Sequence, residues 1–354
     1  MKAEDKRPVV KLSCAAPAAE FTQITLSHGS GGTQMRQLLQ QYVFECLNND
    51  WLQKQEDAAI LQVEGPFAFS TDTFVVSPLF FPGGDIGDLA VNGTINDLAV
   101  SGAVPQYLSL AFILEEGFSS ASFLRILQSI RRCCAAAGAA IVTGDTKVVE
   151  RGKGDGIFIN TSGIGRLRAG VQLGVSFLKD NDCLLVSGPL ARHGIAVMSR
   201  RKGIGFETSI QSDTQPLHEI CGMLSDALGT DLHLMRDATR GGVGTILHEI
   251  TSQSRFSAEI EESALPVEQE VAGACEMLGL DPLFVANEGV FVAAVAAHKA
   301  TEALALLRSH RFGQQAALIG RLRSDLRAPV VLNSTIGGRR VLPPMRGELL
   351  PRIC

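Results

Sequence analysis

Apolar residues recur at three- and four-residue spacing over 33–47, with Met35, Leu38, Leu39, Tyr42 and Cys46 on one face, and this predicts an amphipathic helix. The glycine-rich run Ser27-His28-Gly29-Ser30-Gly31-Gly32 leads into it. Two β-type stretches, 57–64 and 67–76, lie on either side of Gly65-Pro66 and predict a hairpin. After Pro82-Gly83-Gly84, Asp85 is placed to cap a helix running to about 102, because its short carboxylate can accept from free amides of the first turn. A strand at 107–114, a helix at 119–137, a strand at 140–149 broken near Gly144 and a strand at 156–165 complete a first α/β domain ending near Arg168.

The second half alternates in the same way. Strands are expected at 183–187, 258–260, 289–296 and 317–321, and helices at 194–201, 216–228, 266–278 and 299–309, with a further helix entered through 235–242 and ending near 252. The expected division is a flexible extension at 1–20, a glycine-rich loop and helix at 21–56, an α/β domain at 57–168, a second at 178–340, and a mobile tail at 341–354. Pro343, Pro344 and Pro351 discourage helix in that tail.

With 354 residues the chain is long enough for two cores, and 45% hydrophobic against 19% charged residues marks a globular protein rather than a disordered one. A net charge of −5, with two Tyr and one Trp for stacking, disfavours nucleic acid as a partner. The sequence has no apolar run of membrane-spanning length, and its start lacks the apolar stretch of a secretory signal, so no membrane partner and a cytoplasmic location are expected. The eight cysteines form no C-x-x-C pair, so zinc and dithiol sites of the usual spacing are not expected. Six of them fall in apolar or helical patterns; Cys14 sits among Ala and Pro, and Cys354 ends the sequence.

Four aspartates stand beside small or glycine-rich neighbours at strand ends or helix starts: Asp57, Asp72, Asp97 and Asp237. Hard carboxylate oxygens with little steric cover suit Mg²⁺ held together with phosphates; any one of them alone reads more readily as a turn former or cap, and the inference rests on the set. The amides of His28, Gly29, Gly31 and Gly32 suit a phosphate anion, but the Lys-Ser/Thr ending of a P-loop is missing. In Gly144-Asp145-Thr146-Lys147, the lysine follows an apolar strand and can hold an anion or act as a base; as the bland alternative it is an ordinary surface lysine. Glu288, in Asn287-Glu288-Gly289, is a candidate general base or a turn residue, and Arg192-His193-Gly194 is a weak candidate phosphate grip. Cys354 is an exposed thiol liability unless it is used, and a dozen extended residues at about 3.3 Å each let it reach roughly 40 Å.

Taken together, five segments resemble the hydrogenase maturation carbamoyl dehydratase family (HypE), within the PurM-like superfamily of aminoimidazole ribonucleotide synthetase and selenophosphate synthetase. They are Phe81-Pro82-Gly83-Gly84-Asp85-Ile86-Gly87, the run from Gly93-Thr94-Ile95-Asn96-Asp97 to Ala103, Gly144-Asp145-Thr146-Lys147-Val148-Val149, Asp237-Ala238-Thr239-Arg240-Gly241-Gly242, and the Pro-Arg-Ile-Cys end. The likeness runs from Ser27 to Cys354. It implies a two-domain PurM-like α/β (α+β) fold, an ATP-binding first domain, and a homodimer formed by pairing of the first-domain sheets. It implies Mg²⁺ on Asp57, Asp72, Asp97 and Asp237, with ATP held by His28, Gly29, Gly31, Gly32, Asn96, Gly144, Asp145 and Thr146.

The narrower family implies that a carbamoyltransferase, HypF, loads Cys354. Lys147 and Glu288 then handle protons as ATP drives the carbamoyl group to a cyano group, and a HypC–HypD iron scaffold receives it. A selenophosphate synthetase usually has a Cys or selenocysteine and a Lys in the glycine loop; 28–35 has neither, which favours the dehydratase. The competing readings are another ATP-dependent amide- or selenide-activating enzyme and a non-catalytic metallochaperone using Cys354 as a ligand.

Overall fold

A computed structural model of the chain describes residues 21–201 and 208–345. Two compact units emerge, and they interleave along the sequence: the first comprises residues up to 75, 85–95 and 105–166, the second 76–84, 96–104 and those from 167 onward. The segment 21–56, expected to stand apart, belongs to the first unit, and that unit cedes 76–84 and 96–104 to the second.

In the first unit, helix α1 (Thr33–Leu38) runs on through a wider π-type turn, Leu39–Phe44. Strands β1 (Phe67–Phe74), β4 (Ala103–Glu115), β5 (Ala140–Val149) and β6 (Ile157–Leu167) form a four-stranded sheet in the order β1-β6-β4-β5. The parallel pair β4 and β5 is joined by α3 (Ser120–Ala137), the crossover that a parallel connection requires. Ser119 caps α3 by accepting from the Ser122 amide, Gly138 ends it in the left-handed region, and Phe123, Ile126, Leu127, Ile130 and Cys134 bury one face. The hairpin expected around Gly65-Pro66 does not form: 57–64 is not a strand, and β1 pairs antiparallel with β6 across most of the unit's length. Local turn chemistry was outweighed by the long-range partner, which offers Phe74 a buried place at its end. The break expected near Gly144 takes the form of a shift in register: Leu108 and Ser109 of β4 pair with Ile141 and Thr143, so Val142 of β5 is passed over, and Gly144 marks a close approach, since a Cβ there would sit 2.1 Å from the Leu110 carbonyl oxygen.

Helix α2 (Ile86–Val100) is preceded by two-residue strands β2 (Phe80–Phe81) and β3 (Gly84–Asp85). Asp85 does cap it: one carboxylate oxygen accepts from the Gly87 and Asp88 amides, and Asp88 reaches back to the Asp85 amide. This reciprocal capping box uses aspartate where glutamate is usual.

In the second unit, β7 (Cys183–Val186), β8 (Leu232–Asp237), β9 (Ser257–Glu261), β10 (Phe291–Val295), β11 (Ala317–Arg323), β12 (Val330–Asn333) and β13 (Arg339–Val341) make one sheet in the order β13-β12-β9-β11-β7-β10-β8. Its two faces are both covered. Leu184 and Val186 join one core with α4 (Arg192–Met198), α6 (Gly242–Gln253) and α7 (Gln269–Leu278), whereas Leu185 joins the other with α5 (His218–Leu228) and α8 (Ala300–Ser309). A strand buried on both sides loses its polar alternation, which is why β7 and β10 read as short, unbroken apolar runs. β8, β12 and β13 were not expected. β13 moves the start of the tail: Val341 ends a strand, and Leu342 is buried with its amide bonded to the Val330 carbonyl. The two prolines after Leu342 are where pairing stops.

Candidate active site

In the first unit, the glycine loop packs against β5. A Cβ on Gly29 would lie 2.6 Å from the Val148 amide nitrogen, so only glycine lets the two backbones meet beside Lys147. Gly31 has φ +79°, in the left-handed region that favours glycine, and Gly32 begins the approach to α1. His28 is buried; its Nδ1 accepts from the Thr25 amide at 3.0 Å, its ring lies 4.3 Å from that of Phe21, and burial pulls its pKa down. The ring is thus chiefly a pin for the loop.

On β5, Thr146 is buried, while Asp145 and Lys147 are exposed and form an ion pair at 2.8 Å. That pairing holds the Asp145 carboxyl below its usual range. Lys147 keeps more than half of its side chain in solvent (63%) at the sheet rim. Beside Gly144, Asp145 and Thr146, an open cleft of about 100 Å³ is walled by Met35, Leu39, Phe44 and Leu52. Asp57 is exposed in an irregular segment; Asp72 sits half-buried on β1, 3.9 Å from the position a Cβ on Gly93 would take.

In the second unit, the chain between 287 and 289 is held almost entirely by side chains. Asn287 is fully buried; it accepts from the Ala191 amide at 2.7 Å and donates to the Ala238 carbonyl at 3.0 Å. Asn96 donates to the Gln215 and Glu288 carbonyls at 3.1 and 3.2 Å and accepts from the Leu217 amide at 2.8 Å. These bonds occupy both ends of its carboxamide, so the structure gives Asn96 a scaffolding task where the sequence suggested a nucleotide ligand. Asp213, which no motif marked out, accepts from the Glu288 amide at 3.2 Å and from the Gly289 amide at 3.2 Å. Gly289 tolerates no side chain, since a Cβ would lie 1.9 Å from the Asp213 carbonyl oxygen. Through these bonds the structure brings Glu288 beside the end of β8, where Asp237 lies half-buried; Asp97 stands half-buried on α2, one residue after Asn96. His193 turned out to be fully buried against the Ser212 hydroxyl at 2.8 Å, which leaves it no phosphate to grip.

Burial pushes Asp213 up to about 6, against the pull of the two amides and of Arg192. A carboxyl whose folded pKa is raised contributes most to stability below its unfolded pKa, and that contribution is lost as pH rises through about 6. Asp213→Asn is therefore expected to gain thermal stability relative to the parent chain as pH rises from 4 to 7, by at most about 3 kcal/mol. Melting curves across that range check the sign; a constant offset would rule out the buried charge as its origin.

Among the described residues, no three His, Cys, Asp or Glu side chains converge into a metal cluster. Asp57 and Asp72 fall in the first unit, Asp97 and Asp237 in the second. Carboxylate oxygens are hard donors of the kind Mg²⁺ takes alongside waters and substrate phosphates. The described cysteines are free thiols, buried except for the half-buried Cys183. Cys14, Cys354 and the tail beyond 345 lie outside the described residues.

The fold and these strand-end residues define a protein of the AIR synthase related class: its N-terminal domain family matches 55–167 and its C-terminal domain family 179–331. The chain is 48% identical to the carbamoyl dehydratase HypE of Rhizobium leguminosarum bv. viciae, over 94% of this chain and 95% of that protein. A crystal structure of a hydrogenase maturation protein HypE in complex with ATP superimposes with a TM-score of 0.89 at 42% identity, covering 93% of this chain and 99% of that one. The HypE chain of a HypE–HypF complex superimposes with a TM-score of 0.77 at 42% identity, covering 89% and 100%. This chain belongs to the carbamoyl dehydratase HypE family.

Proposed function

We infer that this chain is the ATP-dependent carbamoyl dehydratase of hydrogenase maturation, converting an S-carbamoyl group on Cys354 to an S-cyano group. The observation that carries the reading is identity of 48% over nearly the whole of both chains to a protein named for that activity. The chemistry is consistent with it. A carbamoyl oxygen is a poor leaving group; once it takes the terminal phosphoryl group of ATP, with ADP departing, its C–O bond can break to release phosphate. The carbamoyl nitrogen loses both of its protons on the way to the nitrile, and the sum is carbamoyl thioester plus ATP to thiocyanate, ADP and phosphate. Glu288 and Lys147 are the groups proposed to receive and pass these protons. Phosphoryl transfer needs positioning and charge neutralisation above all, and the proposed Mg²⁺ on Asp57, Asp72, Asp97 and Asp237 would supply the charge. The loop of His28, Gly29, Gly31 and Gly32, with Gly144, Asp145 and Thr146, is proposed to line the phosphate path. The neighbouring cleft offers a planar base an apolar wall of Met35, Leu39, Phe44 and Leu52.

Partners follow from the same reading. A HypF-type carbamoyltransferase is proposed to load Cys354, and a HypC–HypD scaffold to receive the cyano group. A homodimer through the first-unit sheet is supported by its outward side chains: Phe67, Phe69 and Ile113 are 54%, 65% and 44% exposed, and β1 is an edge strand. Among the described residues no helix is long and apolar enough to cross a membrane, and a cytoplasmic location is proposed. The test is mass spectrometry of the C-terminal peptide after incubation with the carbamoyltransferase and carbamoyl phosphate. A carbamoyl adduct that loses water only when ATP is added supports the function; water loss without ATP, or ATP turnover with no change at the tail, contradicts it.

A further inference from the structure

Glu288 precedes β10, and neither it nor Gly289 falls in a strand of the sheet. The four backbone polar groups of Glu288 and Gly289 are instead held by side chains: both amides by Asp213, the Glu288 carbonyl by Asn96 and the Gly289 carbonyl by Gln215 at 2.9 Å. Asp213 is itself buried, 8% exposed, and carries a carboxyl group into a place where an unpaired charge is costly. The Glu288 side chain is buried as well, so its direction is set by the φ and ψ angles of a residue that has no ladder to steady it. Of the three side chains that hold this turn, only Asp213 holds Glu288 through its amide, on the N-terminal side of its Cα; Asn96 holds the other side.

We propose that Asp213 is a positioning residue for Glu288, its carboxylate gripping the Glu288 and Gly289 amides so that the Glu288 carboxyl group keeps the single aim that proton transfer requires. The inference rests on the reading of Glu288 as a proton-handling group. Its logic is geometric. One carboxylate oxygen accepts from both amides, at 3.3 and 3.2 Å, so an amide oxygen in the same place can do the same work, whereas a side chain without an acceptor there frees the turn. Displacing a catalytic group by about 1 Å can cost on the order of a hundredfold in rate.

The experiment is a double-mutant cycle in the full chain, carbamoylated at its tail, reading the single-turnover rate of nitrile formation and the KM for ATP. Asp213→Ala is expected to slow nitrile formation by about tenfold or more with KM for ATP unchanged. Asp213→Asn is expected to restore the rate to within about threefold of the parent, and Asp213→Ala should add less than about twofold to the loss in a Glu288→Gln background, because a residue acting through Glu288 has nothing left to position. Asp213→Ser, which keeps polarity but draws the acceptor back by one atom, stands in for Asp213→Ala should that variant not fold, with the same expected pattern. A full additional loss in the Glu288→Gln background, an effect confined to KM, or an Asp213→Asn variant as slow as Asp213→Ala overturns the positioning role while leaving Glu288 in place. Glu288→Gln at the parent rate overturns the Glu288 reading itself, and the proposal with it.

Discussion

Cys354→Ala is expected to abolish nitrile formation outright, leaving no carbamoyl adduct on the tail peptide. The reason is chemical rather than structural: in the proposed reaction the thiolate is the nucleophile that takes the carbamoyl group, and the methyl of alanine has no lone pair with which to replace it. Among the described residues the cysteines are buried or half-buried, and burial raises the pKa of Cys183 and pushes that of Cys275 to about 11, which makes them poor substitutes. The parent chain and the variant would be loaded by the carbamoyltransferase, chased with ATP, and compared by peptide mass and by release of ADP. A variant that still accumulates a nitrile would move the carrier elsewhere and sink the assignment.

The second large effect is expected at Asn96. Replacing it with Leu keeps the volume close but strips three hydrogen bonds, from the buried backbone groups of Leu217 and Glu288 and the half-buried carbonyl of Gln215. Each such group left unpaired costs about 1–3 kcal/mol, so a loss of several kcal/mol is expected, a large share of the roughly 5–15 kcal/mol that holds a domain together. Denaturant unfolding followed by a probe in the second unit should show an earlier midpoint. Were Asn96 instead a nucleotide ligand, stability would hold and KM for ATP would rise; that result would return the residue to the role its motif suggested.

Much of the fold was legible because it was written in local patterns. Ser119 and Gly138 bracket α3 by capping chemistry, and Asp85 announces α2, since each of these acts within a few residues of its own position. The strands that were missed or misjudged were those whose fate depends on distant partners. The stretch 57–64 has the composition of a strand but pairs with nothing, whereas Leu232–Asp237 and Arg339–Val341 pair with β10 and β12 at the two ends of the second sheet. Composition reports how well a residue fits a pleated surface, not whether a neighbouring strand exists.

The site divides along the same line. Glycines, aspartates and the terminal cysteine carry chemistry in their own atoms, so the sequence by itself determined the family resemblance and singled out the glycine loop as a candidate phosphate site and Lys147 and Glu288 as the candidate proton-handling pair. Only the tertiary structure decided what Asn96, Asp213 and Gly289 do, because their roles are hydrogen bonds and close approaches to residues far away along the chain, from Leu217 across to Glu288. A side chain's reactivity is a local property, whereas its partner is chosen by the fold.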